Sequence, residues 1–190
     1  MECVIWRHPA PRGAAGRCIG VTDLQVDARK AKRLAHRVRA EARRQRWPRE
    51  VWTSPLERGV AVGRWLRRWG WRHRRDARLA ELDFGAWEGR AWADVAAAEV
   101  QAWCEDFARF APGGGEPLEA LFERCRCFLD EVLRECGDQE VVLIVGHGGW
   151  INTVAGVAAG SGVPQRAADW PPAPRYGALR RFTLAAASSA

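Results

Sequence analysis

Three short segments carry most of the side chains in this chain that are equipped for chemistry. Arg7-His8 follows the apolar run Cys3-Val4-Ile5-Trp6, Ser54-Pro55-Leu56-Glu57-Arg58 follows Val51-Trp52-Thr53, and Gly146-His147-Gly148-Gly149 follows Val141-Val142-Leu143-Ile144-Val145. Short apolar runs of this kind read as buried strands, so the chemical groups are expected at strand ends. Two imidazoles beside two guanidinium forks describe a pocket for a dianionic phosphoryl group rather than for a metal or a carbonyl. Arg58 falls in the first turn of a helix and Gly148-Gly149 open another, so backbone amides and both macrodipoles add positive potential at the same place. Glu81 adds a carboxyl within a brief strand expected over 79–82, where burial would favour the protonated form and suit it to give up a proton.

An Arg-His pair alone is no signal in a chain this rich in arginine. Arg72-His73 is a second pair, and it lies in the basic, surface-like run 71–75. Other chemistries lack a part. Gly146-x-Gly148-Gly149 misses the spacing of a dinucleotide loop, there is no Walker lysine, and no Gly-x-Ser-x-Gly elbow supplies a serine nucleophile. Cys125 and Cys127 on one helix point to different faces and cannot chelate a metal together. Trp87 and Trp150, next to the motifs, read as packing rather than as stacking platforms for a substrate ring.

These groups need a scaffold, and the pattern around them supplies one. Asp27 can cap a helix with apolar or small positions at Ala31, Leu34, Ala35, Val38 and Ala42. Ser54, Pro55 and Glu57 have the form of a capping box that starts a helix over 55–69. A loop over 83–89 precedes a helix expected over 92–110, which Pro112-Gly113-Gly114-Gly115 breaks. Pro117 restarts a helix with a stripe from Leu118 to Val132, ending at Gly137. The β-branched run over 141–145 is typical of a parallel strand covered on both faces. A helix to about Ala159, a last strand over 176–184 and a frayed tail over 185–190 complete the chain. Alternating strands and helices predict a three-layer α/β/α sandwich with a mostly parallel central sheet, as one domain over 1–190. Ligands in such sheets collect at the carboxyl ends of the strands, which gathers Arg7, His8, Arg58, Glu81 and His147 at one edge.

A chain of 190 residues with 47% apolar residues can bury an ordinary core, so disorder is excluded. Its apolar runs are too short to cross a bilayer, and Glu2 follows Met1 with no basic stretch ahead of an apolar one, so neither a membrane span nor a signal peptide is expected. The 6 cysteines, without paired Cys-x-x-Cys motifs, read as reduced thiols of a cytoplasmic protein. The net charge of +7 is uneven, with 18 Arg and Lys against 4 acids over 29–78. That stretch invites a nucleic-acid surface, but its basic residues alternate with apolar ones at helical spacing and no nucleic-acid motif accompanies them.

The order of motifs resembles the histidine phosphatase superfamily, the phosphoglycerate-mutase-like enzymes. The resemblance runs from Arg7-His8 through Thr53-Ser54-Pro55-Leu56-Glu57-Arg58, Leu82-Asp83-Phe84-Gly85-Ala86-Trp87-Glu88-Gly89 and 112–116 to Val145-Gly146-His147-Gly148-Gly149. It implies that His8 accepts the phosphoryl group, that Arg7, Arg58 and His147 bind its oxygens with help from Gly148, and that Glu81 is the proton donor. The Cys18-Ile19-Gly20-Val21-Thr22-Asp23 loop resembles the family's Gly-x-x-Asp segment, which places Gly20 at the substrate mouth. Pro9, Phe84-Gly85-x-Trp87-Glu88-Gly89 and Gly114-Gly115-Glu116 are most similar to the α-ribazole phosphatase branch of cobamide biosynthesis, although Pro117 stands where that branch commonly has Ser. Only 65 residues separate Glu81 from His147, fewer than in the family's mutases, whose extra segment covers the site. The implied activity is hydrolysis of a small phosphorylated metabolite without metal or cofactor. A phosphomutase and a non-catalytic basic nucleic-acid-binding module are the alternatives, and a homodimer is left open.

Overall fold

The computed structural model describes residues 1–135 and 141–184. One five-stranded sheet runs in the order β3-β2-β4-β1-β5, built from β1 (Glu2–Arg7), β2 (Glu50–Thr53), β3 (Arg72–Arg75), β4 (Val141–Gly146) and β5 (Leu179–Thr183). Four strands are parallel, and β5 pairs antiparallel with β1. The helices are α1 (Ala28–Gln45), α2 (Glu57–Arg68), α3 (Ala97–Glu105), α4 (Leu118–Glu135) and α5 (Gly148–Ala158).

Alternation along β1 builds both faces of the sheet at once. Val4 and Trp6 join Leu34, Val38, Val62 and Leu66 of α1 and α2, while Cys3 and Ile5 join Phe122, Phe128, Ile151 and Val154 of α4 and α5. The result is the three-layer architecture expected from the pattern. A smaller cluster of Cys18, Trp87 and Val95, flanked by Trp103 of α3, lies outside these two cores.

Four local expectations change. The run 71–75 is at the surface but is not irregular: Arg72–Arg75 is the exposed edge strand β3, parallel to β2. Its charged side chains hide it from a search for apolar runs and suit an unpaired edge. No strand forms over 79–82; Ala77–Leu79 is a single 3-10 turn, with Leu79 and Leu82 buried but no strand to pair with. The helix expected over 92–110 is a 3-10 turn, Trp92–Asp94, followed by the shorter α3. The capping box is absent, because Ser54 turns away toward His147 and the Glu57 N–H is satisfied by Asp23 Oδ1 at 2.6 Å. Asp27 does cap α1, accepting from the Arg29 and Lys30 amides. Gly137, expected to end α4, and the tail 185–190 lie outside the described residues.

Register then sets the site. Arg7 pairs with Gly146 and Thr53 with Val145, so His8, Ser54 and His147 leave adjacent strands at the same level. The His8 N–H donates to the Gly146 carbonyl at 3.0 Å and extends that pairing one residue past the strand.

Candidate active site

The two imidazoles meet at the carboxyl edge of the sheet, with ring centroids 5.0 Å apart. The His8 Nδ1 lies 2.8 Å from the Pro9 carbonyl, which can only accept, so Nδ1 carries the proton and Nε2 presents a lone pair. Burial, then Arg58 and Arg7, push the His8 pKa down to about 3 against the pull of that carbonyl. The ring is therefore neutral at physiological pH.

His147 is fully buried and its tautomer is equally determined. Arg58 Nε donates to its Nδ1 at 3.1 Å, so the proton sits on Nε2 and is given to Ser54 Oγ at 2.7 Å. Burial, then Arg58 and His8, hold its pKa well below the usual histidine value. Both ring nitrogens thus have protein partners, and a hold on a phosphoryl group through Nε2–H, as the resemblance implies, requires that donor to leave Ser54 Oγ. The sequence pattern predicts Ser54 as a helix cap; only the spatial pairing of β2 with β4 reveals its bond to His147.

Arg58 is 1% exposed and Arg7 lies beside it at the edge, yet neither has a carboxylate within ion-pair distance among the described residues. Arg58 spends one donor on His147, one on the Thr22 carbonyl at 2.8 Å and one on the Gly20 carbonyl. One N–H on each terminal nitrogen remains. Arg7 Nη1 donates to the Pro174 carbonyl, its Nε is buried without a partner, and its guanidinium lies 4.0 Å from the Tyr176 ring centroid. Tyr176 also packs 5.5 Å from His8. Its place came from a turn: Gly177 N–H donates to the Arg7 carbonyl and Arg7 N–H to Ala178, folding 176–178 back over the site. No motif marks that contact.

Gly20 is placed differently from the expectation. Its amide donates to Glu88 and its carbonyl receives Arg58, and a Cβ there would stand 1.8 Å from the Leu82 carbonyl oxygen. Gly20 therefore positions Arg58 by allowing two loops to touch. Glu88 ties the same loop together, accepting from the Gly20, Val21, Thr22 and Phe84 amides and from the Thr22 hydroxyl. Burial raises the Glu88 pKa, but these hydrogen bonds outweigh it and keep the group ionised. Gly148 lets the Arg7 guanidinium approach, since a Cβ would lie 3.3 Å from Arg7 Cζ.

Glu81 reaches the edge without a strand. Its Oε2 accepts from Gly149 N–H at 2.9 Å and its Oε1 from Leu82 N–H, and it is half-buried rather than enclosed. The segment is held by Arg124 of α4, which donates to the carbonyls of Arg78, Ala80 and Glu81 and to Glu116. Trp87 and Trp150 are buried, with their indole N–H groups on Glu99 and the Arg78 carbonyl, and pack as expected. Cys125 is buried and Cys127 exposed; burial pushes the Cys18 and Cys125 thiols up to about 12, so neither is a nucleophile. No described helix is long and apolar enough to cross a membrane.

Comparison with known proteins bears on the fold and the family. A mycobacterial glucosyl-3-phosphoglycerate phosphatase, solved with VO3, is 26% identical, with a TM-score of 0.77 over 96% of this chain and 92% of that one. A structure described as mycobacterial hydrolase 1 is 25% identical, with a TM-score of 0.78 over 95% and 89%. The α-ribazole phosphatase of Shigella flexneri, at 23% identity and a TM-score of 0.78 over 95% and 89%, shares the fold. No curated protein sequence matches. The family model for the histidine phosphatase superfamily, branch 1, matches residues 3–181. With motif order, fold and family model in agreement, the chain belongs to the histidine phosphatase superfamily and is a phosphatase.

Proposed function

We propose that the protein hydrolyses a small phosphorylated metabolite through a phosphohistidine on His8. The observation that carries this reading is a pair of guanidiniums without carboxylate partners among the described residues, one with an orphaned buried Nε, set beside an imidazole whose Nε2 lone pair is unused. Buried cations call for an anion, and a phosphoryl dianion is the anion that an imidazole lone pair can attack. Nε2 forms the bond to phosphorus as the bond to the leaving oxygen breaks. The remaining Arg58 donors and Arg7 hold the equatorial oxygens, joined by the Gly148 amide at the start of α5. His147 Nε2–H exchanges Ser54 Oγ for a phosphoryl oxygen as charge builds there. Glu81 hands a proton to the leaving alcohol and then takes one from the water that attacks phosphorus and frees His8. Gly20 supports this from behind Arg58.

The short span between Glu81 and His147 favours water over a second acceptor, hence a phosphatase rather than a mutase. α-Ribazole phosphate is the substrate suggested by the sequence, and glucosyl-3-phosphoglycerate is the one its mycobacterial neighbour is named for. Turnover of a panel holding both, with 3-phosphoglycerate and sugar phosphates, ranks them. Acid-labile label from substrate should map to His8. Stable label on Ser54 or a cysteine would overturn the reading, and so would activity lost to chelator and restored by one divalent ion, since two arginines repel such ions.

A further inference from the structure

The opposite end of the sheet carries a second concentration of positive charge that phosphoryl transfer at His8 does not use. There the last turns of α1 and α2 and the entries to β2 and β3 enclose a cavity of about 520 Å³, with Arg39, Arg43, Arg46 and Arg49 on its rim and Trp47 and Trp71 among its walls. A volume of this order suits a single small ligand. None of the four arginines has an acidic partner among the described residues. The acids of α1 and β2 are committed elsewhere, Glu41 to Arg44 and Arg181, and Glu50 to Arg72 and Arg74.

Compensation of helix dipoles does not account for the set. Arg43 lies in the last turn of α1, but Arg39 stands a turn earlier and Arg49 precedes a strand. Arg46 occupies the left-handed cap at φ 59°, a position where glycine is the ordinary residue, and so keeps a guanidinium at the rim. The walls are of a different nature. Trp71 is 5% exposed and Trp47 half-buried, and guanidiniums already lie over neighbouring indoles, Arg181 over Trp47 and Arg39 over Trp69. An indole wall offers nothing to a bare phosphate, and an arginine rim offers nothing to a hydrocarbon.

We propose that this cavity is a second binding site, for a free nucleoside di- or triphosphate, with its base against the half-buried Trp47 and Trp69 and its phosphates on the arginines. A volume of about 520 Å³ is that of a single small ligand, so the occupant is a free nucleotide, and a strand of nucleic acid is an outcome that the test separates.

The test is titration with a non-hydrolysable ATP analogue, followed by calorimetry and tryptophan quenching. Binding is expected with a Kd on the order of 10 µM, weakening with salt and ~tenfold tighter than inorganic tripolyphosphate. Arg43→Gln/Arg46→Gln should weaken it by ~tenfold or more while activity on para-nitrophenyl phosphate stays intact, and His8→Ala should leave it unchanged. Arg39→Gln/Arg49→Gln serves if the first double variant does not fold. Four results would each overturn the proposal: no binding at millimolar analogue, tripolyphosphate binding as tightly, loss of binding with His8→Ala but not with the rim variants, or a single-stranded oligonucleotide binding more tightly than the mononucleotide.

Discussion

At the scale of single residues, the site works by leaving the His8 Nε2 lone pair and a few guanidinium N–H donors free, while the other neighbouring donors are spent on orientation. His8→Ala removes that lone pair and should abolish turnover. His73 is the comparison, and the structure changes what it reports: its Nε2 bonds Thr53 Oγ1 at 2.9 Å and its ring fills the space that a Cβ on Gly63 would take. His73→Ala should therefore leave kcat nearly unchanged and lower stability by about 1–3 kcal/mol, because it opens a gap and removes one of the two hydrogen bonds of the buried Thr53 hydroxyl, which keeps its bond to the Ser54 carbonyl. Equal kinetic losses at both histidines would remove His8 from its role. The two carboxylates separate in the same way. Glu81→Gln should slow an alkyl phosphate by roughly 10²–10⁴ and an activated aryl phosphate far less, since only the poor leaving group needs the proton. Glu88→Gln should lower kcat and stability together with no leaving-group dependence, because it loosens the 20–22 loop that carries the carbonyls gripping Arg58. If the leaving-group dependence appears at Glu88 instead, the roles are reversed.

At the scale of elements, the catalytic edge has two kinds of support. β1, β2 and β4 deliver His8, Ser54 and His147 by register, whereas Glu81 depends on a loop pinned from across the molecule by Arg124. Arg124→Met should lower kcat for alkyl phosphates by ~10-fold with a smaller effect on KM, and destabilise by about 2–4 kcal/mol, since Glu116 loses its partner and three carbonyls lose a donor. A variant that loses stability yet keeps the wild-type dependence on leaving group would show that Arg124 does not position Glu81. The same division explains what could be read in advance. Strand-borne groups were legible because apolar runs announce parallel strands, and register follows from pairing. The edge strand β3 was not, since its residues Arg72–Arg75 carry no apolar signal, and the 79–82 segment looked like a strand because Leu79 and Leu82 are buried for another reason. Contacts such as Glu88 with Gly20 and Arg124 with Ala80 join distant loops, and nothing local marks them. The touching loops at Gly85 and Gly113 are of the same type: a Cβ on Gly85 would meet the Gly113 carbonyl oxygen at 2.3 Å.

At the scale of the whole molecule, holding two buried histidines and the half-buried His73 among arginines makes stability depend on pH in a predictable direction. His8 is held down to about 3, His73 to about 4 by burial and then by Arg75, Arg67 and Arg64, and His147 well below its usual value. In the unfolded chain each returns to roughly 6.5. Above that pH the rings are neutral in both states and contribute no pH dependence. Below it the unfolded chain takes up protons that the folded chain refuses, so stability is lost as pH falls from about 6.5 toward about 4, by ~1.4 kcal/mol per pH unit for each proton. Denaturant titrations between pH 7 and 5 should show a slope rising toward three protons taken up on unfolding. His73→Gln should reduce the slope by about one proton while leaving the phosphatase site intact, which separates a structural histidine from the catalytic pair. A slope below one proton across this range would mean that the site histidines are protonated in the folded enzyme, and His8 would then have no lone pair with which to attack phosphorus.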